Sequence, residues 1–154
     1  MNKSVVKLTP IGGQAENGKS MYCLEIDDQW FIIDAGYRFP EVDKLGVDVI
    51  IPNFDYLKEN KDKIKAIFIT HGHDDVMGAL PYLLQEVNVP IYTTDLTADL
   101  IDQLLQRYMR HSHVSYKYKI KRVNMNATIK VAGVTVEFFP ITHSIPGSVG
   151  LAFL

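Results

Sequence analysis

The chain has little of several things, and each shortage narrows what it can be. Among 154 residues there is one cysteine, Cys23. No internal disulfide can form, which excludes a disulfide-stapled scaffold and fits a reducing compartment. No apolar run approaches the ~18–20 residues that cross a bilayer. The start, Met-Asn-Lys-Ser-Val-Val-Lys, has no apolar signal core. These features predict a cytoplasmic protein with no membrane attachment. Net charge is only −2, so the overall balance names no partner. Repeats, low-complexity tracts and Ser/Pro linkers are absent, and no internal domain boundary is visible. Hydrophobic residues make up 47% and charged residues 22%. That balance excludes a disordered tail, a collagen-like rod and a coiled coil.

One absence is local. From Gln103 to Val136 there is no Asp or Glu, while Arg107, Arg110, Lys117, Lys119, Lys121, Arg122 and Lys130 all fall there. Such a strip can face a polyanion. A solvated strand-and-loop surface is the plainer alternative.

The elements present read as strands alternating with helices, an α/β (α+β) pattern. Val5–Ile11, Met21–Ile26 and Trp30–Asp34 read as strands, the last two joined by a turn at Asp27-Asp28. Trp30-Phe31-Ile32-Ile33 and Ala66-Ile67-Phe68-Ile69-Thr70 are continuous apolar runs, as in strands covered on both faces. A short helix is predicted around Phe54–Asn60. A second helix carries Pro81 in its first turn and a stripe of Leu80, Leu83, Leu84 and Val87. After the short strand Ile91-Tyr92-Thr93, Thr94 is the expected N-cap of a third helix. Its core face would be Leu96, Leu100, Ile101, Leu104, Leu105 and Tyr108. Tyr118–Val123, Ala127–Val131, Val134–Phe139 and Gly150–Leu154 complete the strands. The last has no stop signal, which predicts that the chain is part of something longer, with an unpaired strand edge.

His71, His73 and Asp75 follow the second apolar run at alternate positions. In extended backbone, residues i, i+2 and i+4 project to one side. Two imidazoles and a carboxylate suit zinc or manganese. A polar loop closing a strand would explain them without a metal. His143, at the end of Val136–Thr142, offers a third imidazole. Asp34 ends another buried strand and could orient a ligating imidazole from behind, or simply make a turn. His111 and His113 repeat the His-x-His spacing, but helix-end stabilisation explains them better. Cys23 reads as a small core residue.

Thr70-His71-Gly72-His73-Asp74-Asp75 resembles the His-x-His-x-Asp-His signature of the metallo-β-lactamase superfamily. The flanks narrow the resemblance. They are Pro10-Ile11-Gly12-Gly13, Glu16-Asn17-Gly18-Lys19, Ile33-Asp34-Ala35-Gly36, Phe39-Pro40-Glu41 and Leu45-Gly46-Val47-Asp48 with Ile51-Pro52. Gly78-Ala79-Leu80-Pro81-Tyr82-Leu83-Leu84 and Thr142-His143-Ser144-Ile145-Pro146 complete the set. Together they resemble bacterial ribonuclease J, of the β-CASP branch. The resemblance implies an αββα sandwich of which residues 1–154 are the incomplete N-terminal portion. The β-CASP and C-terminal domains would lie outside it. It implies RNA cleavage, both 5′-to-3′ exonucleolytic and endonucleolytic, with two metal ions, usually zinc. His71, His73 and His143 match ligands of the first ion, and Asp75 a ligand of the second. His71, His73 and Asp75 would be the catalytic residues.

Two departures change the expectation. Val76 stands where the motif has histidine, and the family's bridging aspartate would fall beyond Leu154. A milder one is Gly147, where the family usually has aspartate. A valine has no lone pair, so at most one zinc is expected, with manganese possible, and this piece of chain alone could hold none. The chain is most like the degenerate paralogue of bacteria with two ribonuclease J copies. That likeness implies RNA as the full protein's partner and a hetero- or homo-oligomer with the active paralogue. Own activity would be weak or absent, in RNA processing and decay. Two other readings stand beside it: a non-catalytic structural or regulatory subunit, and a single-zinc hydrolase of small esters or thioesters.

Overall fold

The computed structural model describes residues 4–154. Among these residues, nine strands form two sheets. Strands β1 (Val6–Gly12), β2 (Met21–Ile26), β3 (Gln29–Ile33), β4 (Ile64–Phe68), β5 (Ile91–Thr93) and β6 (Ile120–Arg122) lie side by side in that order. The first three pair antiparallel. Asp27, in the left-handed region at φ 51°, makes the tight turn between β2 and β3. From β3 onward pairing is parallel, so each return crosses a face of the sheet. Helices α1 (Asp55–Glu59), α2 (Asp74–Met77), α3 (Leu80–Glu86) and α4 (Asp95–Ser112) lie in these crossovers. Strands β7 (Thr128–Val131), β8 (Val134–Pro140) and β9 (Val149–Phe153) form a second, antiparallel sheet.

The large sheet is covered on both faces, which is why its central strands are apolar throughout. Ile67 of β4 and Ile69 just beyond it join one core with Leu57, Leu80, Leu83 and Ile101 of the helices. Ala66 and Phe68 point the other way, toward Val136, Phe138 and Val149 of the small sheet. Phe68 is the hub of that second core. Its ring centroid lies 5.3 Å from Tyr92, 5.5 Å from Phe153, 5.9 Å from Phe138 and 6.0 Å from Phe31. The layers run helix, sheet, sheet. Phe139, on the outward face of the small sheet, is 46% exposed.

The helix expected around Pro81 forms as α3, starting at Leu80 with Pro81 in its first turn, and a separate short helix, α2, ending at Met77, precedes it. Two local expectations need correction. Thr94 sits at the α4 N-cap position, but its side chain does not cap the helix. Its hydroxyl donates to the Gly147 carbonyl at 2.7 Å instead. The core face of α4 is also rotated from the expected stripe. Thr97, Ala98, Ile101 and Leu105 are buried, Leu100, Leu104 and Tyr108 are half-buried, and Leu96 is exposed. Small residues at Thr97 and Ala98 let the helix sit close on the sheet, turning the leucine stripe toward its edge.

Candidate metal centre

The site forms where the two sheets meet at one end. Beyond β4 the chain runs through Ile69 and Thr70 into His71, with the Ile69 amide donating to Tyr92 O at 3.1 Å. His73 remains extended (φ −87°, ψ 149°) and is the N-cap of α2. His71 and His73 therefore keep the alternation expected of extended backbone. At Asp74 the chain turns helical and the alternation stops. Asp75 is exposed on the first turn of α2, outside the cluster of donors that the histidines form. Its charge still reaches the site: it opposes the lowering of the His71 pKa that burial leads, and adds to the burial that raises the Asp34 pKa.

His143 arrives from the small sheet, in the loop after β8. That loop is tied down at several points. Ile141 N donates to Ser148 O at 3.1 Å, Ser148 Oγ to Ile145 O at 2.8 Å, and Val149 N to Thr70 O at 3.0 Å. With the Thr94–Gly147 bond, these links fix the loop against the end of β4. The three imidazoles converge: ring centroids are 4.2 Å apart for His71–His143 and 4.9 Å for both His71–His73 and His73–His143. One nitrogen from each ring can be chosen so that all three lie within 4.8 Å of one another. Among the described residues, this is the cluster of three or more His, Cys, Asp or Glu that could hold a metal ion. His111 and His113 stay at the far end of α4, where His113 closes the helix in the left-handed region.

The donor chemistry fits zinc. Three neutral imidazoles make the ligand set of open zinc sites. His71 is suited to the role, because burial, and then its neighbours His143 and His73, push its pKa below the ordinary imidazole value. A neutral ring keeps a lone pair to give. Thr70 sets which nitrogen that is. Its backbone N–H donates to Asp34 Oδ1 at 2.9 Å, and its hydroxyl lies 3.0 Å from the same oxygen and 2.9 Å from His71 Nδ1. If the hydroxyl proton goes to the carboxylate, the oxygen accepts from Nδ1–H and His71 Nε2 is left free to ligate. Asp34 thus reaches His71 through Thr70 rather than directly. Desolvation pushes the Asp34 carboxyl up to about 7, against the lowering effect of the Thr70 hydrogen bonds. Sequence reasoning missed Thr70, although a hydroxyl residue directly before the first motif histidine was a readable signal.

Glycines allow the close packing. A side chain on Gly36 would strike the Asp75 carbonyl, so that glycine lets α2 dock on the end of β3. A Cβ on Gly72 would lie 2.5 Å from Leu100 Cδ1 of α4. Val76 lies one residue beyond Asp75. It is 4% exposed and packs in the helix-side core, while its carbonyl accepts from Ala35 N at 2.7 Å.

The expected basic strip is divided in the structure. Arg122 pairs with Asp99 at 2.6 Å and Asp95 at 3.7 Å, and Lys121 donates to Tyr92 Oη at 2.8 Å. Arg107 and Arg110 line a cavity on α4 beside the histidine loop.

A helix–sheet–sheet fold with a histidine cluster at the sheet ends defines a metal-site protein of the lactamase type. Residues 16–153 match the Metallo-beta-lactamase superfamily, and the chain belongs to that superfamily. Within it, the chain is 43% identical to Ribonuclease J 2 of Staphylococcus saprophyticus over 97% of its length. It is 40% identical to Ribonuclease J 2 of Staphylococcus aureus over 95%. It spans about a quarter (26%) of the length of those relatives. Among solved structures, a protein of unknown function from Enterococcus faecalis V583 superposes with TM-score 0.73 and 20% identity. That match covers 99% of this chain and 41% of the other. Human tRNase Z, short form, gives TM-score 0.59 and 20% identity over 96% of this chain and 64% of the other. These structures share the fold. No helix among the described residues is long and apolar enough to cross a membrane.

Proposed function

We propose that this chain is the metal-holding N-terminal portion of a ribonuclease J-type RNA-processing and decay protein whose second metal seat is degenerate. The observation that carries the reading is the pairing of a converged triad, His71, His73 and His143, with a buried hydrocarbon at Val76. The triad would hold one zinc. When bound, such an ion supplies Lewis acidity toward water and a phosphoryl oxygen. His71, His73 and His143 hold it, Thr70 and Asp34 orient His71, and Asp75 stands nearby as the carboxylate of a second seat. A two-ion site would steady both the attacking and the leaving oxygen of a phosphodiester. Val76 gives that second seat no donor, so the chain's own nuclease activity is weak or absent. Its role is then to support RNA binding and assembly with an active paralogue in the cytoplasm.

The test combines metal analysis with reversion of the motif. Wild-type protein dialysed against zinc should retain one equivalent, and Val76→His should retain a second. The longest natural form carrying V76H should gain metal-dependent cleavage of 5′-monophosphorylated RNA. No retained zinc in wild type would favour the purely structural subunit. Turnover of a small thioester by wild type, lost in His71→Ala, would favour the single-zinc hydrolase.

A further inference from the structure

Helix α4 leaves a face uncovered beside the metal centre. Its core contacts come from Thr97, Ala98, Ile101 and Leu105. The leucines one position away, Leu96, Leu100 and Leu104, are exposed or half-buried. Between this stripe and the histidine loop lies a cavity of about 400 Å³, within the size range of small-ligand sites. Gly72, the residue between two of the clustered histidines, forms one wall. Met77, Leu100 and Leu104 give the cavity an apolar floor, and Gln103, Gln106, Arg107 and Arg110 give it a polar rim. Asp74 is the acidic residue of its lining. Arg107 and Arg110 make no ion pair within 4.0 Å among the described residues, unlike Arg122 of β6, which pairs with Asp95 and Asp99 at the start of the helix. The cavity therefore begins one residue from His71 and His73 and ends on two unpaired guanidiniums.

We propose that this cavity is a subsite for the backbone of a single-stranded RNA, with Arg107 and Arg110 holding phosphates and the Leu100–Leu104 floor taking the sugar–base side. The proposal deepens the ribonuclease-type reading and rests on it. Guanidinium suits phosphate because its planar fork donates two parallel hydrogen bonds. Helix-end stabilisation would explain cations near the C-terminus of α4. It does not call for an apolar floor between them and the metal ligands. Polyanion binding does, because nucleotides present a charged edge and an apolar face together.

The experiment is fluorescence anisotropy of a labelled short oligouridylate with the 154-residue chain, in EDTA so that no cleavage intervenes. Wild type is compared with Arg107→Ala/Arg110→Ala and with Lys130→Ala on β7, which carries the same kind of charge elsewhere. Circular dichroism checks that each variant is folded. Two lost phosphate contacts on a single strand make the log–log salt slope shallower by about 1.4. Between about 50 and 200 mM salt, wild type should then lose about sevenfold more affinity than the double variant. Lys130→Ala should match wild type. The proposal is overturned if wild type does not bind, if the double variant keeps the wild-type slope, or if Lys130→Ala lowers the slope as much. The two readings fail separately. RNA binding through the arginines with no metal-dependent cleavage in the longest V76H form sinks the nuclease reading and leaves the subsite. Cleavage with an unchanged double variant does the reverse.

Discussion

Thr70→Val tests the arrangement behind the metal centre most directly. The substitution keeps shape and removes one hydroxyl. That hydroxyl lies 3.0 Å from Asp34 Oδ1 and 2.9 Å from His71 Nδ1, so its loss breaks the link between carboxylate and imidazole. The Thr70 backbone N–H still donates to Asp34 Oδ1 at 2.9 Å, so the carboxylate keeps a partner and the end of β4 keeps its place. The fold should lose about 1–3 kcal/mol, the net worth of the two hydrogen bonds that the hydroxyl makes. The metal site should weaken as well. Groups behind a ligating histidine are worth ~10–100-fold in metal affinity. Zinc affinity measured by competition with a chromogenic chelator should fall by that factor in Thr70→Val and stay near wild type in Thr70→Ser. Zinc-induced thermal stabilisation should shrink in parallel, because a ligand stabilises by RT ln(1 + [L]/Kd). Equal zinc affinity in wild type and Thr70→Val would refute the relay through Thr70.

Four further outcomes are expected. Phe68→Ala empties the hub between the sheets and should cost about 3–5 kcal/mol, read as a fall in the urea midpoint with an unchanged slope; a loss under 1 kcal/mol would mean the sheets do not pack on Phe68. Gly36→Ala forces a methyl into the Asp75 carbonyl, so it should destabilise the chain by about 1–3 kcal/mol and weaken zinc binding together, whereas a neutral result would mean α2 does not dock there. Val76→His places a polar ring in an apolar core and should lower thermal stability by about 1–3 kcal/mol without metal, with excess zinc restoring it; stability indifferent to zinc would argue against Val76 standing at a second metal position. Glu25 supplies a pH dependence. Burial pushes its carboxyl up, but hydrogen bonds from Thr9, Tyr56 and Lys7 outweigh burial and hold it below the usual value. A carboxylate depressed in the folded state contributes stability above its unfolded pKa, and that contribution is lost as pH falls through the folded value. The stability gap between wild type and Glu25→Gln should therefore close on acidification below about pH 4, and a gap constant from pH 7 to 3 would contradict it.

Much of this molecule was legible in its sequence because the signals were local. Continuous apolar runs marked β3 and β4 as strands covered on both faces, since only a doubly covered strand tolerates hydrocarbon at every position. His71 and His73 share a side because extended backbone repeats every two residues. Asp75 broke that rule because helix α2 begins at Asp74, and a helix start depends on what receives it, here the bare face of Gly36. The helix stripe on α4 was misjudged for a related reason. Leucine spacing shows that a face is apolar, but the small residues at Thr97 and Ala98 decide which face can approach the sheet. Thr94 has the chemistry of a cap, and a carbonyl brought in by the Gly147 loop takes its hydroxyl instead.

By itself, then, the sequence determined the strands, the pair of motif histidines and the hydrocarbon at Val76, all matters of neighbours along the chain. The sequence also offered His143 as a third imidazole, but only the tertiary structure decided how it meets the other two, from the loop that follows β8 of the other sheet. Packing of Phe68 against Phe138 sets the two sheet ends together, and no spacing within one strand encodes that meeting. The Asp34–Thr70–His71 link and the open cavity between α4 and the histidine loop have the same origin, because each needs segments that approach one another only once both faces of the large sheet are covered.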